Sequence, residues 1–321
     1  MSKSLRLAFT ATAIAAIVSG TAGAQLLPSL GLPPVNLPTA NVPVAGPVLQ
    51  NILNQPGARE AVSPTLNTVS GLPQQIAEAP AALLLELRRL RLRELIRQNP
   101  RALEADAAGQ PMRRGLLIVV NPDQASLQMA ARAGFRAIAD EQHGELGIRV
   151  VTIAVPRGLS SRDGRKRLHK VAPALQAEFD HLYEPAGGAL LPFAGALAAA
   201  AAGGSGPRIG IVDGGVASHP SLSNASIEQS GFAGQPQPTG HGTAVASLIV
   251  GNQGQFRGAA PGASLFVADV YGGSRAAGSA SAIVRALSWL ASKRPQVINI
   301  SLVGPQNQLL QRAVMALRAR G

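Results

Sequence analysis

Apolar positions fall into two series of short blocks in the last two thirds of the chain. In the first series, Leu116–Val120 is an unbroken apolar run of strand length. Asp123–Ala133 carries helical spacing with Asp123 in its first turn. Phe135–Ala139 and Ile148–Val155 predict strands, Ser161–Val171 predicts a helix opened by a serine, and Phe179–Tyr183 predicts a last strand. Strand, helix, strand, strand, helix, strand is the split α+β pattern of ferredoxin-like folds.

The second series runs Arg208–Val212 (strand), His241–Gly251 (helix), Leu265–Val270 (strand), Ser279–Ala291 (helix), Val297–Ser301 (strand) and Asn307–Ala319 (helix). Strands alternating with helices require a parallel sheet covered on both faces, an α/β doubly wound arrangement. Before both series, Leu83, Leu84, Leu87, Leu90, Leu95 and Ile96 recur at helical spacing, with Arg88, Arg89, Arg93 and Arg97 elsewhere, and Asn99-Pro100 ends the helix. Such a basic amphipathic helix either packs on the domain that follows or lies on an acidic membrane surface. Packing is the expectation.

The first 80 residues read differently. Lys3 and Arg6, the apolar stretch Leu7–Val18 and Ala22-Gly23-Ala24 make residues 1–24 resemble a secretory signal, which implies export to the periplasm or the extracellular space. The apolar stretch is shorter than the roughly 20 residues of a membrane span. Residues 25–79 hold prolines at close intervals and read as an extended linker. The expected organisation is therefore 1–24 signal peptide, 25–79 linker, 80–114 basic helix and connector, 115–186 α+β unit, 187–206 Gly/Ala-rich linker and 207–321 α/β unit. The Gly203–Pro207 stretch is the natural boundary between the last two units and a place for cleavage.

Composition narrows the chemistry. The 321 residues contain no cysteine, which excludes disulfides and thiolate-bound metals. Aromatics are 3% of the chain, so its cores rely on small and aliphatic residues. The net charge of +12 suggests nucleic acid, but the densest basic group, Arg88–Arg114, is interleaved with Glu94, Glu104 and Asp106 and lacks stacking aromatics. No nucleic-acid partner is expected. No cofactor is implied, and calcium on oxygen ligands stays open with no ligand set assignable.

Two stretches carry the candidate chemistry. Arg208-Ile209-Gly210-Ile211-Val212-Asp213-Gly214-Gly215 is an apolar strand with an acid at its carboxyl end. Thr239-Gly240-His241-Gly242-Thr243 is a histidine between glycines at a helix start. In open parallel sheets, functional groups gather where strands end and helices begin. A carboxylate beside an imidazole orients it as a general base. His143, His169, His181 and His219 lack such surroundings and read as structural or surface residues.

The order Asp213 then His241 resembles the subtilisin-like serine proteases, and the likeness continues through Gly258–Ala263, Trp289 and Val297–Leu302. It covers about residues 207–321. It implies catalytic roles for Asp213 and His241, and substrate-lining edges at Ala276-Ala277-Gly278 and Ser301-Leu302-Val303-Gly304. Gly214 stands where the family usually has Ser or Thr, which would leave Asp213 less well oriented. Val303 stands where the family commonly has Gly, which would narrow the main pocket towards small residues. A ferredoxin-like unit directly upstream resembles the family's propeptide, an intramolecular inhibitor whose tail would run from about Glu184 towards Gly206.

The family's nucleophile lies in Gly-Thr-Ser, which does not occur in this sequence. Ser301 ends a strand and is not that serine. The expectation is thus a secreted serine endopeptidase acting on peptide or protein substrates, represented by a truncated, inactive chain. The alternative is a non-catalytic secreted protein that binds a protease or peptide through its propeptide-like unit.

Overall fold

The computed structural model describes residues 81–186 and 206–320, without the side chains of 81–84. The expected signal peptide, the proline-rich linker and nearly all of the Gly/Ala-rich linker lie outside the described residues.

Helix α1 (Ala81–Gln98) leads into strands β1 (Leu103–Ala105) and β2 (Pro111–Val120). Helix α2 (Gln124–Arg132), strands β3 (Arg136–His143) and β4 (Ile148–Ala154), helix α3 (Ser161–Val171) and strand β5 (Ala177–His181) follow. They form one antiparallel sheet in the order β1-β2-β4-β3, with β5 also on β2. α2 and α3 each have a side-chain cap at the start: Asp123 accepts from the Ser126 N–H at 2.8 Å, and Ser160 from the Asp163 N–H at 3.1 Å.

The apolar run in β2 reflects burial on both faces. Leu117 and Val119 join Val151, Ile153 and Phe179 beneath Ala130 of α2 and Leu168 of α3. Ile118 points the other way, with Ile148 and Val150. A strand with strict alternation would have shown one wet face.

The second half begins after a two-residue strand, β6 (Glu184–Pro185). Strand β7 (Arg208–Asp213) is followed by β8 (Ser226–Gly231), helix α4 (Gly240–Val250) and the short pair β9 (Asn252–Gln253) and β10 (Phe256–Arg257). Strand β11 (Ser264–Asp269), helix α5 (Ala280–Lys293), strands β12 (Val297–Ile300) and β13 (Leu302–Val303) and helix α6 (Gln308–Arg318) complete it. The main sheet is parallel, in the order β12-β7-β11-β8. One face packs Ile209, Ile211, Leu265 and Val267 under Ala246 and Val250 of α4. The other packs Val212, Phe266 and Ala268 under Ile283, Val284 and Leu287 of α5 and Leu309 and Ala313 of α6. Ile118, Ile148 and Val150 belong to this same cluster, so α5 and α6 are sandwiched between the parallel sheet and the antiparallel one.

Several boundaries depart from the sequence pattern for physical reasons. β2 starts at Pro111 instead of Leu116, because its polar first half (Arg113, Arg114) pairs with β1 ahead of a register shift between Met112 and Leu117. β8 has the sequence SIEQSG and is an edge strand with a largely exposed pattern, so no apolar run marks it. β5 ends at His181, and Tyr183, expected in that strand, leaves the sheet. In α1 the most buried described side chain is Leu92, and Arg88 is not on the solvent face.

Candidate active site

Asp213 ends β7 and is fully buried. Its strand is central, flanked by β11 and β12. The register places Asp213 directly opposite Asp269. The Gly214 N–H donates to Asp213 Oδ1 at 2.7 Å. His241 Nδ1 lies 2.9 Å from Oδ1 and 2.7 Å from Oδ2. Burial pushes the Asp213 carboxyl above the ordinary aspartate range, Asp269 adds to that, and the bonds from His241 and the Gly214 N–H act against it.

His241 is the second residue of α4. Thr239 caps that helix by accepting from the Gly242 N–H at 3.0 Å. Thr243 donates to Thr239 O at 2.7 Å and accepts from the Ala217 N–H at 2.9 Å, which ties the loop after Asp213 to the helix start. The glycines permit this approach. A Cβ on Gly242 would sit 2.3 Å from Gly214 O, and one on Gly214 would sit 2.4 Å from Thr239 Oγ1. At position 214 the helix cap occupies the space that a side chain would need.

The histidine's other nitrogen faces the chain itself: Nε2 lies 2.6 Å from Ala186 O. Ala186 is the end of an extended segment. The Tyr183 N–H donates to Gly278 O at 2.9 Å, and Leu182 bridges Ser279. β6 pairs antiparallel with β13, Glu184 opposite Val303 and Pro185 opposite Leu302. The Ala186 N–H then donates to Ser301 O at 2.7 Å. The segment Leu182–Ala186 therefore lies between the 278–279 edge and the 301–303 edge, bonded by its backbone to both.

Glycine shapes this channel as well. Tyr183 is buried, and its hydroxyl donates to Pro305 O at 2.7 Å. A Cβ on Gly304 would fall 2.2 Å from Tyr183 Cδ1. Gly278 has φ +77° and approaches both the Tyr183 carbonyl and the Tyr271 ring.

The residues singled out from sequence thus fall into two groups. Asp213 and His241 are in contact, and Gly278, Ser301, Leu302, Val303 and Gly304 line the segment that reaches them. Ala276 and Ala277 form the turn before Gly278: their N–H groups donate to Ser274 Oγ at 3.2 Å and Ser274 O at 3.1 Å. Ser301 Oγ accepts from Asn299 Nδ2 at 2.7 Å, and among the described residues no serine hydroxyl bonds His241. His219 accepts from the Ser221 N–H in a short turn, and His181 pairs with Asp106 at 3.1 Å. Glu184 and Ala186 fall at the start of the stretch expected as an inhibitory tail, whereas Tyr183 was expected in the strand before it. Among the described residues no three His, Asp or Glu side chains gather as a metal site.

Residues 204–320 match the subtilase family (Peptidase_S8). The chain is 36% identical over 124 residues to Subtilisin Savinase of Lederbergia lenta, covering 37% of this chain and 45% of that protein. It is 36% identical over 124 residues to the alkaline protease of Shouchella clausii, covering 37% of this chain and 32% of that one. It is 31% identical over 111 residues to the major intracellular serine protease of Bacillus subtilis (strain 168), covering 31% of this chain and 35% of that one. The chain spans less than half the length of these curated relatives. The structure is similar to the patellamide maturation protease PatA over 35% of this chain and 44% of that one, at 25% identity and a TM-score of 0.30. Residues 204–320 are thus similar to the subtilase family of subtilisin-like serine proteases.

Proposed function

We propose that residues 207–321 contribute the acid and base of a secreted serine endopeptidase, and that the antiparallel unit before them is its intramolecular propeptide. The observation that carries this is the double engagement of His241, with Asp213 on Nδ1 and the Ala186 carbonyl on Nε2. Both ring nitrogens are engaged, so the Nε2 that would take a nucleophile's proton is already bonded to the segment. A ring so occupied cannot accept a proton from a nucleophile, so the segment Leu182–Ala186 inhibits while it stays in place. The strand order β5-β2-β4-β3, antiparallel throughout and with two helices on one face, supports the ferredoxin-like assignment of this unit. Its far face is packed on α5 and α6 of its own chain, which favours inhibition in cis over binding of a separate protease.

In the proposed reaction His241 removes the proton from a serine hydroxyl as that oxygen attacks a peptide carbonyl carbon. The proton then passes to the leaving amine nitrogen, and water repeats the sequence to release the acyl group. Asp213 fixes the ring and stabilises its charge. The serine is expected from the part of the family domain that residues 204–320 do not match. The bonded segment ends with the Ala186 carbonyl on His241 Nε2, so Ala186–Gly187 is the expected maturation bond, in place of the Gly203–Pro207 stretch. Ala186, bonded to Ser301 O, is a small residue, in keeping with a narrowed pocket. The signal-like residues 1–24 support export.

The test uses the protein translated from its full reading frame, assayed for casein hydrolysis with wild type and His241→Ala. Loss of activity by roughly 10⁴-fold or more and a new N-terminus at Gly187 in the wild type are expected. Equal hydrolysis by both proteins would overturn the assignment. Residues 1–321 alone should not react with a fluorophosphonate.

A further inference from the structure

The strand in the cleft carries one acid, and its partners come from an unexpected place. Arg91 Nε lies 2.9 Å from Glu184 Oε1, and Arg91 Nη2 lies 3.1 Å from Oε2. This is the two-pronged geometry that makes arginine–carboxylate pairs directional. Arg88 Nε stands 3.3 Å from Oε2, near enough for charge attraction but not aligned as a hydrogen bond. Both arginines are on α1, which precedes the split βαββαβ pattern and is anchored by Leu92. Among the described residues, every ion pair to Glu184 comes from this helix and none from residues 206–320. The side chain of Glu184 is 16% exposed and that of Arg91 40%, so the pair is part-shielded.

Glu184 is two residues before Ala186, and both belong to one extended run with backbone bonds on either side. Backbone pairing alone specifies register weakly, even though Pro185 has no N–H to offer in a shifted one. A side-chain bond from a fixed helix removes that freedom. We propose that α1 is a register latch: Arg91, assisted by Arg88, holds Glu184 and so sets the Ala186 carbonyl on His241. Arg91 is a positioning residue for the segment, not a catalytic one. The acid is recognised by the chain's own leading helix and not by the cleft. This rests on the proposed occupation of the cleft by residues 182–186.

The test is amide hydrogen exchange on residues 1–321, read at Tyr183 and Ala186, with Val119 and Val151 as reference amides in the antiparallel sheet. Wild type should protect all four. Arg91→Ala should speed exchange at Tyr183 and Ala186 by about tenfold, as expected for losing a part-shielded, two-pronged ion pair. It should leave the reference amides unchanged and shift the His241 ring resonances. Glu184→Gln should match it, and the double variant should exchange no faster than the faster single variant. An unchanged rate in Arg91→Ala overturns the latch alone. Additive effects in the double variant, or acceleration shared by Val119 and Val151, overturn it as well, because Arg91 would then act on something other than Glu184. Unprotected Tyr183 and Ala186 in the wild type would instead remove the cleft segment on which the latch depends.

Discussion

Replacing Gly304 with alanine should eject the cleft segment while sparing the fold. A Cβ there would lie 2.2, 2.5 and 2.9 Å from Cδ1, Cε1 and Cγ of Tyr183. To reach a contact of about 3.5 Å, the ring must retreat by roughly 1.3 Å from the closest atom. It has little room to do so, being 7% exposed and held by its hydroxyl on Pro305 O at 2.7 Å. Giving up that hydrogen bond costs about 1 kcal/mol, and giving up part of the ring's burial costs about 1–3 kcal/mol. A local destabilisation of about 2–4 kcal/mol corresponds to roughly 30- to 700-fold faster opening. Gly304 itself is exposed and outside the left-handed region, so its backbone accepts alanine. The assay is hydrogen exchange at the Tyr183 and Ala186 amides. Tyr183→Ala should make the second change silent, with Gly304→Ala adding nothing to it. Exchange within about twofold of wild type in Gly304→Ala would refute the packing of Tyr183 over Gly304.

Two further outcomes concern the junction between the two sheets. Leu287 of α5 is fully buried in the cluster that both sheets share, so Leu287→Ala should cost about 2–5 kcal/mol in denaturant unfolding, and a loss under about 1 kcal/mol would contradict its central place. His143 at the end of β3 is pushed below the ordinary histidine range by burial, with Glu141 opposing and Arg285 adding to the shift. A folded value below the unfolded one, about 6.5, means that the contribution is present above that pH and is lost as pH falls through the folded value. The Tm of wild type should therefore fall more steeply than that of His143→Gln between about pH 7 and pH 5, whereas parallel curves would show that burial of His143 does not govern its titration.

The meeting of Asp213 and His241 was legible because local rules and long-range needs coincide at these two residues. Asp213 follows the apolar run Ile209–Val212, and His241 sits between glycines at a helix start, so both the element and its end can be read from a few neighbours. The same holds for β4 and α3, whose observed bounds differ from the pattern by at most one residue. Tyr183 shows the opposite case. It is apolar and adjoins a strand, so periodicity assigns it to the sheet, whereas its partners are Gly278, Gly304 and Pro305, about 100 residues away. The edge strand β8 hides for another reason: its ladder with β11 is made by backbone groups, and its side chains are polar. Helix α1 was legible as a helix but not in its orientation, because Arg88 and Arg91 are turned inward by a single acid nearly 100 residues downstream.

The contact between His241 and Ala186 is the centre of the account, and a nuclear Overhauser measurement on isotope-labelled residues 1–321 tests it most directly. With Nε2 at 2.6 Å from Ala186 O, cross-peaks between the His241 ring protons and residue 186 are expected. A His241 ring with no cross-peak to residues 183–186 would contradict the occupied cleft.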